Sequence, residues 1–135
     1  MLALLEEAAR FAIPTKINDV RGFWLCAIGI RSDGTRVRSC NGAVYSTTIN
    51  NYQLIPTSHA ECRVINKMDV GGTLYVARVK RLDRSLGNAS ACMMCRNKIK
   101  AHGISKVYYT INNFQYGLWL VKKDLDITFG EYINV

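Results

Sequence analysis

The sequence contains no run of 18 apolar residues. Its first residues, Met1 to Phe11, carry Glu6, Glu7 and Arg10 instead of a basic segment followed by an apolar one. These absences argue against a membrane-spanning helix and against a secretory signal peptide. The chain also has no internal repeat, no low-complexity segment and only two prolines. The sequence therefore predicts a protein without a membrane partner, located in the cytoplasm.

The cysteine count fits poorly with a secreted disulfide framework. Their number is odd, five, at Cys26, Cys40, Cys62, Cys92 and Cys95. Reduced thiols together with a metal site fit this count better, and a reducing compartment fits reduced thiols. Cys26 and Cys40 stand within apolar strand runs, so we interpret both as small buried hydrophobic residues.

Length and composition indicate one domain. A chain of 135 residues that is 49% hydrophobic and 21% charged has the size of a single compact unit with one core. We expect residues 1–135 to form it. The net charge of +8 favours polyanions, either nucleic acid or phosphorylated small substrates, but the charge does not name the partner.

Hydrophobic periodicity predicts three helices and five strands. The helices are expected at about 2–12, from His59 toward Gly71, and at about 91–101 with Ser90 as N-cap. The strands are expected at 23–30 and 37–46 as a hairpin, then at 74–79, 107–111 and 116–121. The link between the last two strands is too short for a parallel crossover, so they should be antiparallel. Residues 127–135 are left open between a short helix and an edge element.

Four residues suited to zinc chemistry, His59, Glu61, Cys92 and Cys95, are spaced in the sequence as one site would require. Cys92 and Cys95 are three positions apart, so both sulfurs can face one zinc ion from one side of a helix. His59, at another helix start, would be the third ligand. If the two helices lie side by side on one face of the sheet, their N-termini meet. Three protein ligands leave the fourth zinc position to water, whose pKa zinc can lower to about 7.

Glu61 lies two residues after His59, where its carboxylate can take a proton from that water and pass it on. Taken alone, the Cys-x-x-Cys pair could also be a redox pair or a structural zinc site. A closed structural site remains an alternative because Cys62, three positions after His59, could supply a fourth ligand.

The pattern of His59-Ala60-Glu61 followed by Cys92-Met93-Met94-Cys95 resembles the cytidine deaminase superfamily, whose His-x-Glu and Pro-Cys-x-x-Cys signature it matches except at Ala91, where the family usually has proline. The similarity extends over most of the chain, from about Leu2 to Lys122. It implies a three-layer-like α/β/α fold with a mixed five-stranded sheet whose last two strands are antiparallel.

The resemblance also implies a function: hydrolytic, zinc-dependent deamination by attack of zinc-bound hydroxide on the ring carbon bearing the exocyclic amine, with Glu61 as proton shuttle. The expected reaction converts cytosine to uracil in a nucleoside, nucleotide or single-stranded nucleic acid. The resemblance implies further that Asn41 holds the sugar and the Ala60 backbone contacts the base. Since many relatives associate, a homo-oligomer is left open. Two alternatives are an adenine deaminase acting on RNA and a zinc-stabilised nucleic-acid-binding module without catalysis.

A basic stretch leads toward the two cysteines, and it has two interpretations. Its residues are Arg78, Lys80, Arg81 and Arg84. They form either an ordinary solvated face or contacts to nucleic acid, together with tyrosines that stack on bases. The candidate tyrosines are Tyr45, Tyr52, Tyr108, Tyr109 and Tyr116.

Overall fold

The computed structural model describes residues 2–13, 23–40 and 60–134. Within these ranges lie three helices, α1 (Leu2–Ala12), α2 (Ala60–Ile65) and α3 (Met93–His102). The strands are β1 (Phe23–Ile30), β2 (Arg36–Cys40), β3 (Thr73–Lys80), β4 (Leu86–Gly87), β5 (Lys106–Asn112), β6 (Gln115–Leu120) and β7 (Leu125–Gly130). None of the described helices is long and apolar enough to span a membrane.

One mixed sheet joins all the described strands in the order β2-β1-β3-β5-β6-β7, with the short β4 paired to β3. The prediction of five strands is therefore wrong, because seven are present in the described ranges. Sequence periodicity missed β4, which has two residues, and left β7 undecided because its side chains are mostly exposed. A strand with two solvated faces lacks the apolar alternation that reveals a strand in sequence.

The strand directions follow from the lengths of the connections. β5 and β6 are antiparallel, as predicted, and two residues separate them. β3 and β5 form the one parallel pair among the described strands, and α3 supplies the crossover between them. The carboxyl ends of β3 and β5 consequently lie at the same edge of the sheet, which we call the carboxyl edge.

Two apolar cores, one on each face of the sheet, give the molecule the three layers that the resemblance implied, and they stand in place of the single core expected from its size. On one face α1 buries Leu5, Ala8, Ala9 and Ala12, which recur at helical spacing, against the sheet. On the other face α2 and α3 pack on the same core, which includes Val64 from α2 and Ile99 from α3. Alternate residues of β1, β3 and β5 enter opposite cores, so these central strands are apolar on both faces.

The helices α2 and α3 run in the same direction, and three hydrogen bonds join the segments that follow them. His102 Nε2 lies 2.7 Å from the Met68 carbonyl oxygen, and Gly71 N–H donates to the Gly103 carbonyl at 2.8 Å. Ser105 N–H donates to the Gly72 carbonyl at 2.9 Å. These hydrogen bonds lie near the C-terminal ends of α2 and α3. The N-terminal ends of both helices therefore point toward the carboxyl edge.

Candidate active site

The start of α3 presents two thiols. Cys92 is the N-cap residue, with extended backbone angles, and its carbonyl accepts the first helical hydrogen bond from Arg96 N–H at 2.9 Å. The helix thus begins two residues later than predicted. Ser90 does not cap it; its hydroxyl accepts a hydrogen bond from Arg96 Nη2 instead. Cys95 is the third residue of α3, and the N-cap and third positions lie side by side at a helix start.

The two thiols differ in exposure. Cys92 is exposed, whereas Cys95 is fully buried in the core beneath α2 and α3. Neither is in a disulfide. A pair of reduced thiols at one helix start, one facing solvent and one facing the core, matches the donor chemistry that zinc prefers. The helix dipole adds a partial positive charge where the thiolates would stand.

Glu61 lies in the first turn of α2 and is 4% exposed. Apart from Thr110 and the core tyrosines, it is the one polar or charged side chain that is buried in the described ranges. Because a buried carboxylate loses its hydration, it persists only where the surroundings compensate it or where function requires it. Ala60 beside it is fully buried in the core shared with Cys95. The first turn of α2 therefore packs in the same core as the start of α3.

Three predicted site features lie outside what the structure describes: His59, Asn41 and the side chain of Cys62. Within the described ranges, no group of three His, Cys, Asp or Glu side chains could hold a metal ion. Of the three predicted zinc ligands, the structure describes Cys92 and Cys95. The third, His59, directly precedes Ala60, the first residue of α2, in sequence.

Arg96 braces the start of α3, a role that the sequence pattern did not indicate. Its Nε donates to the Ala91 carbonyl at 3.2 Å, and its Nη2 donates to Ser90 Oγ at 2.9 Å. Its guanidinium lies 4.4 Å from the centre of the Trp119 ring. The side chain of Arg96 thereby fixes the two residues that precede Cys92. No local sequence signal reports this interaction, since Trp119 is far away in the chain.

The basic stretch forms the β3–β4 hairpin, whose tip lies beyond the carboxyl end of β3. Lys80, Arg81 and Arg84 are exposed. Arg78 is half-buried, and its Nη1 donates to the Asn88 carbonyl at 3.3 Å, so it also holds the segment leading to α3. Arg84 adopts a left-handed backbone with φ of 60°.

The predicted base-stacking tyrosines divide into two groups. Tyr108, Tyr109 and Tyr116 are buried, so their rings belong to the two cores and do not offer faces to a ligand. Tyr45 and Tyr52 lie outside the described ranges. The most exposed aromatic rings in the described ranges are instead Phe114 and Tyr132, which sequence reasoning missed.

Comparisons with known proteins give structural matches. No protein-family model matches the chain, and no curated protein sequence matches it. One similar solved structure is cytidine deaminase from Mycobacterium tuberculosis, 25% identical, with a TM-score of 0.47 over 80% of this chain and 81% of that one. A mutant of the same enzyme gives 25% identity and a TM-score of 0.44 over 82% and 81%. Both TM-scores are below 0.5.

Proposed function

We propose that the chain is a zinc-dependent hydrolytic deaminase that converts cytosine to uracil in a nucleoside, a nucleotide or single-stranded nucleic acid. The observation that carries the proposal is the burial of Glu61 in the first turn of α2, in the helix pair whose other member begins with Cys92 and Cys95. The motif resemblance supplies the reaction class, and the shared core of α2 and α3 supports it.

In this proposal His59, Cys92 and Cys95 bind the zinc ion. The donor set fits, because two thiols and an imidazole are common zinc ligands and leave one position open. Bound zinc supplies a water acidic enough to lose its proton near neutral pH. The brace from Arg96 to Ser90 and Ala91 limits the freedom of the Cys92 backbone, which keeps the two thiols at a fixed separation.

Glu61 moves the protons. Its carboxylate accepts one proton of the attacking water and delivers it to the ring nitrogen. It then takes the second proton from the hydroxyl group added to the ring carbon and passes it to the departing amine. One water is consumed, the carbon–nitrogen bond to the exocyclic amine breaks, and ammonia leaves. Burial of Glu61 away from bulk water keeps these protons within the site. In the same proposal Asn41 holds the sugar and the Ala60 backbone contacts the base.

The decisive experiment incubates zinc-loaded protein with cytidine, deoxycytidine, dCMP, adenosine, single-stranded DNA and RNA, and follows ammonia release and the deaminated base. We expect turnover of at least one cytosine substrate. Glu61→Gln should retain zinc and lose at least about a hundredfold in rate, because general acid–base groups contribute that much or more. Turnover of adenosine in RNA alone would replace the cytosine assignment with the adenine one.

Zinc analysis separates the catalytic site from a purely structural one. His59→Ala, Cys92→Ala and Cys95→Ala should each lower the zinc content, whereas Cys62→Ala should retain both zinc and activity. Loss of zinc in Cys62→Ala would favour a closed four-ligand site. If the zinc-loaded protein turns over none of the substrates and Glu61→Gln has no effect, the result would favour the alternative function, a nucleic-acid-binding module without catalysis.

A further inference from the structure

Two exposed aromatic rings stand together at the carboxyl edge of the sheet. Phe114 is 66% exposed and Tyr132 is 57% exposed, and their ring centres are 5.5 Å apart at an angle of 47°. Neighbouring exposed rings form a contiguous apolar surface, a feature that marks interaction sites on proteins. The pair lies outside both apolar cores, so packing of the domain does not account for it.

The backbone around the two rings is held in place. Glu131 N–H donates to the Phe114 carbonyl at 2.9 Å, and Ile133 N–H donates to the Asn113 carbonyl at 2.8 Å. Ile133 is fully buried in the core on the α1 face, which anchors the segment that carries Tyr132. The rings therefore stand on a fixed backbone, and stacking of a ligand on them costs little ordering entropy.

The aromatic pair adjoins the basic hairpin. Leu86 N–H, in β4, donates to the Asn113 side-chain oxygen at 3.0 Å, which joins the hairpin to the turn that carries Phe114. The same hairpin carries three exposed cations, Lys80, Arg81 and Arg84. Rings and cations thus occupy neighbouring parts of the same edge.

Charge complementarity indicates the occupant. Three carboxylates lie near these cations and rings: Asp83, which accepts hydrogen bonds from the Ser85 backbone and hydroxyl, Glu131 beside the aromatic pair, and Glu6, which accepts from Asn134 N–H at 2.8 Å. Lys80, Arg81 and Arg84 equal them in number, and the whole chain has a net charge of +8. Planar apolar faces beside a cluster of cations suit a polyanion whose bases are unpaired. A duplex would keep the base faces stacked inside and offer the rings nothing.

We propose that Phe114, Tyr132 and the hairpin cations form a binding surface for single-stranded nucleic acid, in which the rings stack on bases and the cations contact phosphates. The surface continues toward the candidate active site, because Ala89 N–H is held by the Thr110 carbonyl at 2.8 Å and Cys92 follows three residues later. It deepens the proposed function, on which its assignment as a substrate surface rests: the substrate is a polynucleotide, held beside the reacting base.

The test measures binding by fluorescence anisotropy, with zinc-loaded Glu61→Gln protein and a labelled single-stranded DNA of about 15 nucleotides containing one cytosine, long enough to span a typical single-strand site. Phe114→Leu and Tyr132→Leu keep apolar bulk but remove the aromatic faces, and each should weaken binding roughly tenfold. Phe114→Tyr and Tyr132→Phe keep the faces and should bind as the parent does. The matching RNA and the duplex serve as competitors, and the duplex should compete poorly.

The cations are tested by salt dependence. Replacing Lys80, Arg81 and Arg84 by alanine should flatten the slope of log affinity against log salt by about 0.7 for each phosphate that is no longer neutralised. Lys122→Ala with Lys123→Ala removes exposed positive charge at the opposite edge of the sheet and should leave the affinity nearly unchanged. An equal weakening in this control would mean that net charge, not the surface, attracts the strand.

The outcomes separate this inference from the proposed function. If the wild-type protein turns over free cytidine but does not bind the single strand, the proposed binding surface is wrong and the proposed deaminase function stands. Ring-dependent binding without any deamination would retain the surface and overturn the proposed function. If the leucine variants bind normally but change the protein's mass in sedimentation, the rings form an interface between copies of the chain, and the inference is wrong.

Discussion

Arg96 and Asp126 form an ion pair with two hydrogen bonds, Nη1 to Oδ2 at 3.0 Å and Nη2 to Oδ1 at 3.0 Å. The Arg96 side chain is 16% exposed and the Asp126 side chain is 41% exposed, so the guanidinium end of the pair is shielded from solvent and the carboxylate end is partly screened by it. The hydrogen bonds from Arg96, the largest cause, hold the pKa of Asp126 below its usual range. The pair connects α3 to β7, a strand that is not adjacent to α3 in sequence.

Arg96→Met should lower the free energy of unfolding by about 2 kcal/mol, because hydrogen bonds to a charged partner and to the Ala91 carbonyl disappear together. Arg96→Lys should recover only part of that, since an ammonium group lacks the planar fork. Urea denaturation measures both. If the proposed zinc site is correct, chelator competition should show roughly tenfold weaker zinc binding in Arg96→Met.

Lys100→Met is the matched control for this prediction. Lys100 lies on the same helix and pairs with Asp124 at 3.3 Å, but both side chains are substantially exposed. Its removal should cost no more than about 0.5 kcal/mol. Equal costs for the two methionine variants would contradict the bracing role of Arg96.

Gly117 has no room for a side chain. The Tyr109 ring lies directly over it across the β5–β6 pair, so an added methyl group would collide with that ring. Gly117→Ala should lower the unfolding free energy by about 2 kcal/mol, measured by urea denaturation. Gly130→Ala, in the neighbouring strand, meets no atom within 4 Å and should change the value by less than about 0.5 kcal/mol. A neutral Gly117→Ala would show that Tyr109 moves aside easily.

Tyr109 should titrate late. Burial, followed by its hydrogen bond to Asp126 at 2.7 Å, raises the pKa of the Tyr109 hydroxyl to about 12. Because the folded state holds this proton more tightly than the unfolded chain, whose tyrosine pKa is about 10, the stability that Tyr109 contributes is complete below about pH 10. It is then lost as the pH rises through about 12.

Tyrosinate absorbance measures this directly. The difference between wild type and Tyr109→Phe should show one group titrating near pH 12, and Asp126→Asn should move it to lower pH without restoring the ordinary value, since burial remains. A group titrating at the ordinary tyrosine value of about 10 in that difference would show that the hydroxyl is solvated in the folded state.

Cys26 should resist alkylation in the folded protein. The hydrogen bond with Cys40, then burial, raises the pKa of the Cys26 thiol well above its usual value, so the reactive thiolate is scarce at neutral pH. Cys92 is exposed. Iodoacetamide treatment of metal-free protein, followed by peptide mass spectrometry, should label Cys92 in the folded state and Cys26 only in urea. Comparable labelling of both in the folded state would show that the core opens readily.

Much of the fold could be predicted because its signals are local. The apolar period of α1 and the apolar runs of β1 and β3 each follow from a few neighbouring residues. The count of strands failed where the local signal is weak: β4 has two residues, and β7 is stabilised by pairing with β6 instead of by an apolar face. Strand pairing of that kind is a property of two segments, and one segment does not reveal it.

The candidate site also has features that the local sequence predicted and features that it did not. The spacing of Cys92 and Cys95 predicted thiols at a helix start, and the structure places them there, although the cap is Cys92 and not Ser90. Glu61 was predicted from its place in the motif, but its burial was not. The brace from Arg96 could not be predicted, because it depends on Trp119 and Asp126, which reach α3 only after β6 and β7 have paired.

The short links between β5, β6 and β7 also bear on the order of folding. Two and four residues join these strands, so their pairing closes only small loops, whereas pairing of β1 with β3 must bring residues 23 and 80 together. Glu61 lies inside that long loop, and Cys95 lies outside it, next to the three paired strands. We expect pulse-labelling hydrogen exchange to show protection of β5–β7 before β1. Cys95 would then lie against strands that have already folded when the pairing of β1 with β3 brings Glu61 into the site.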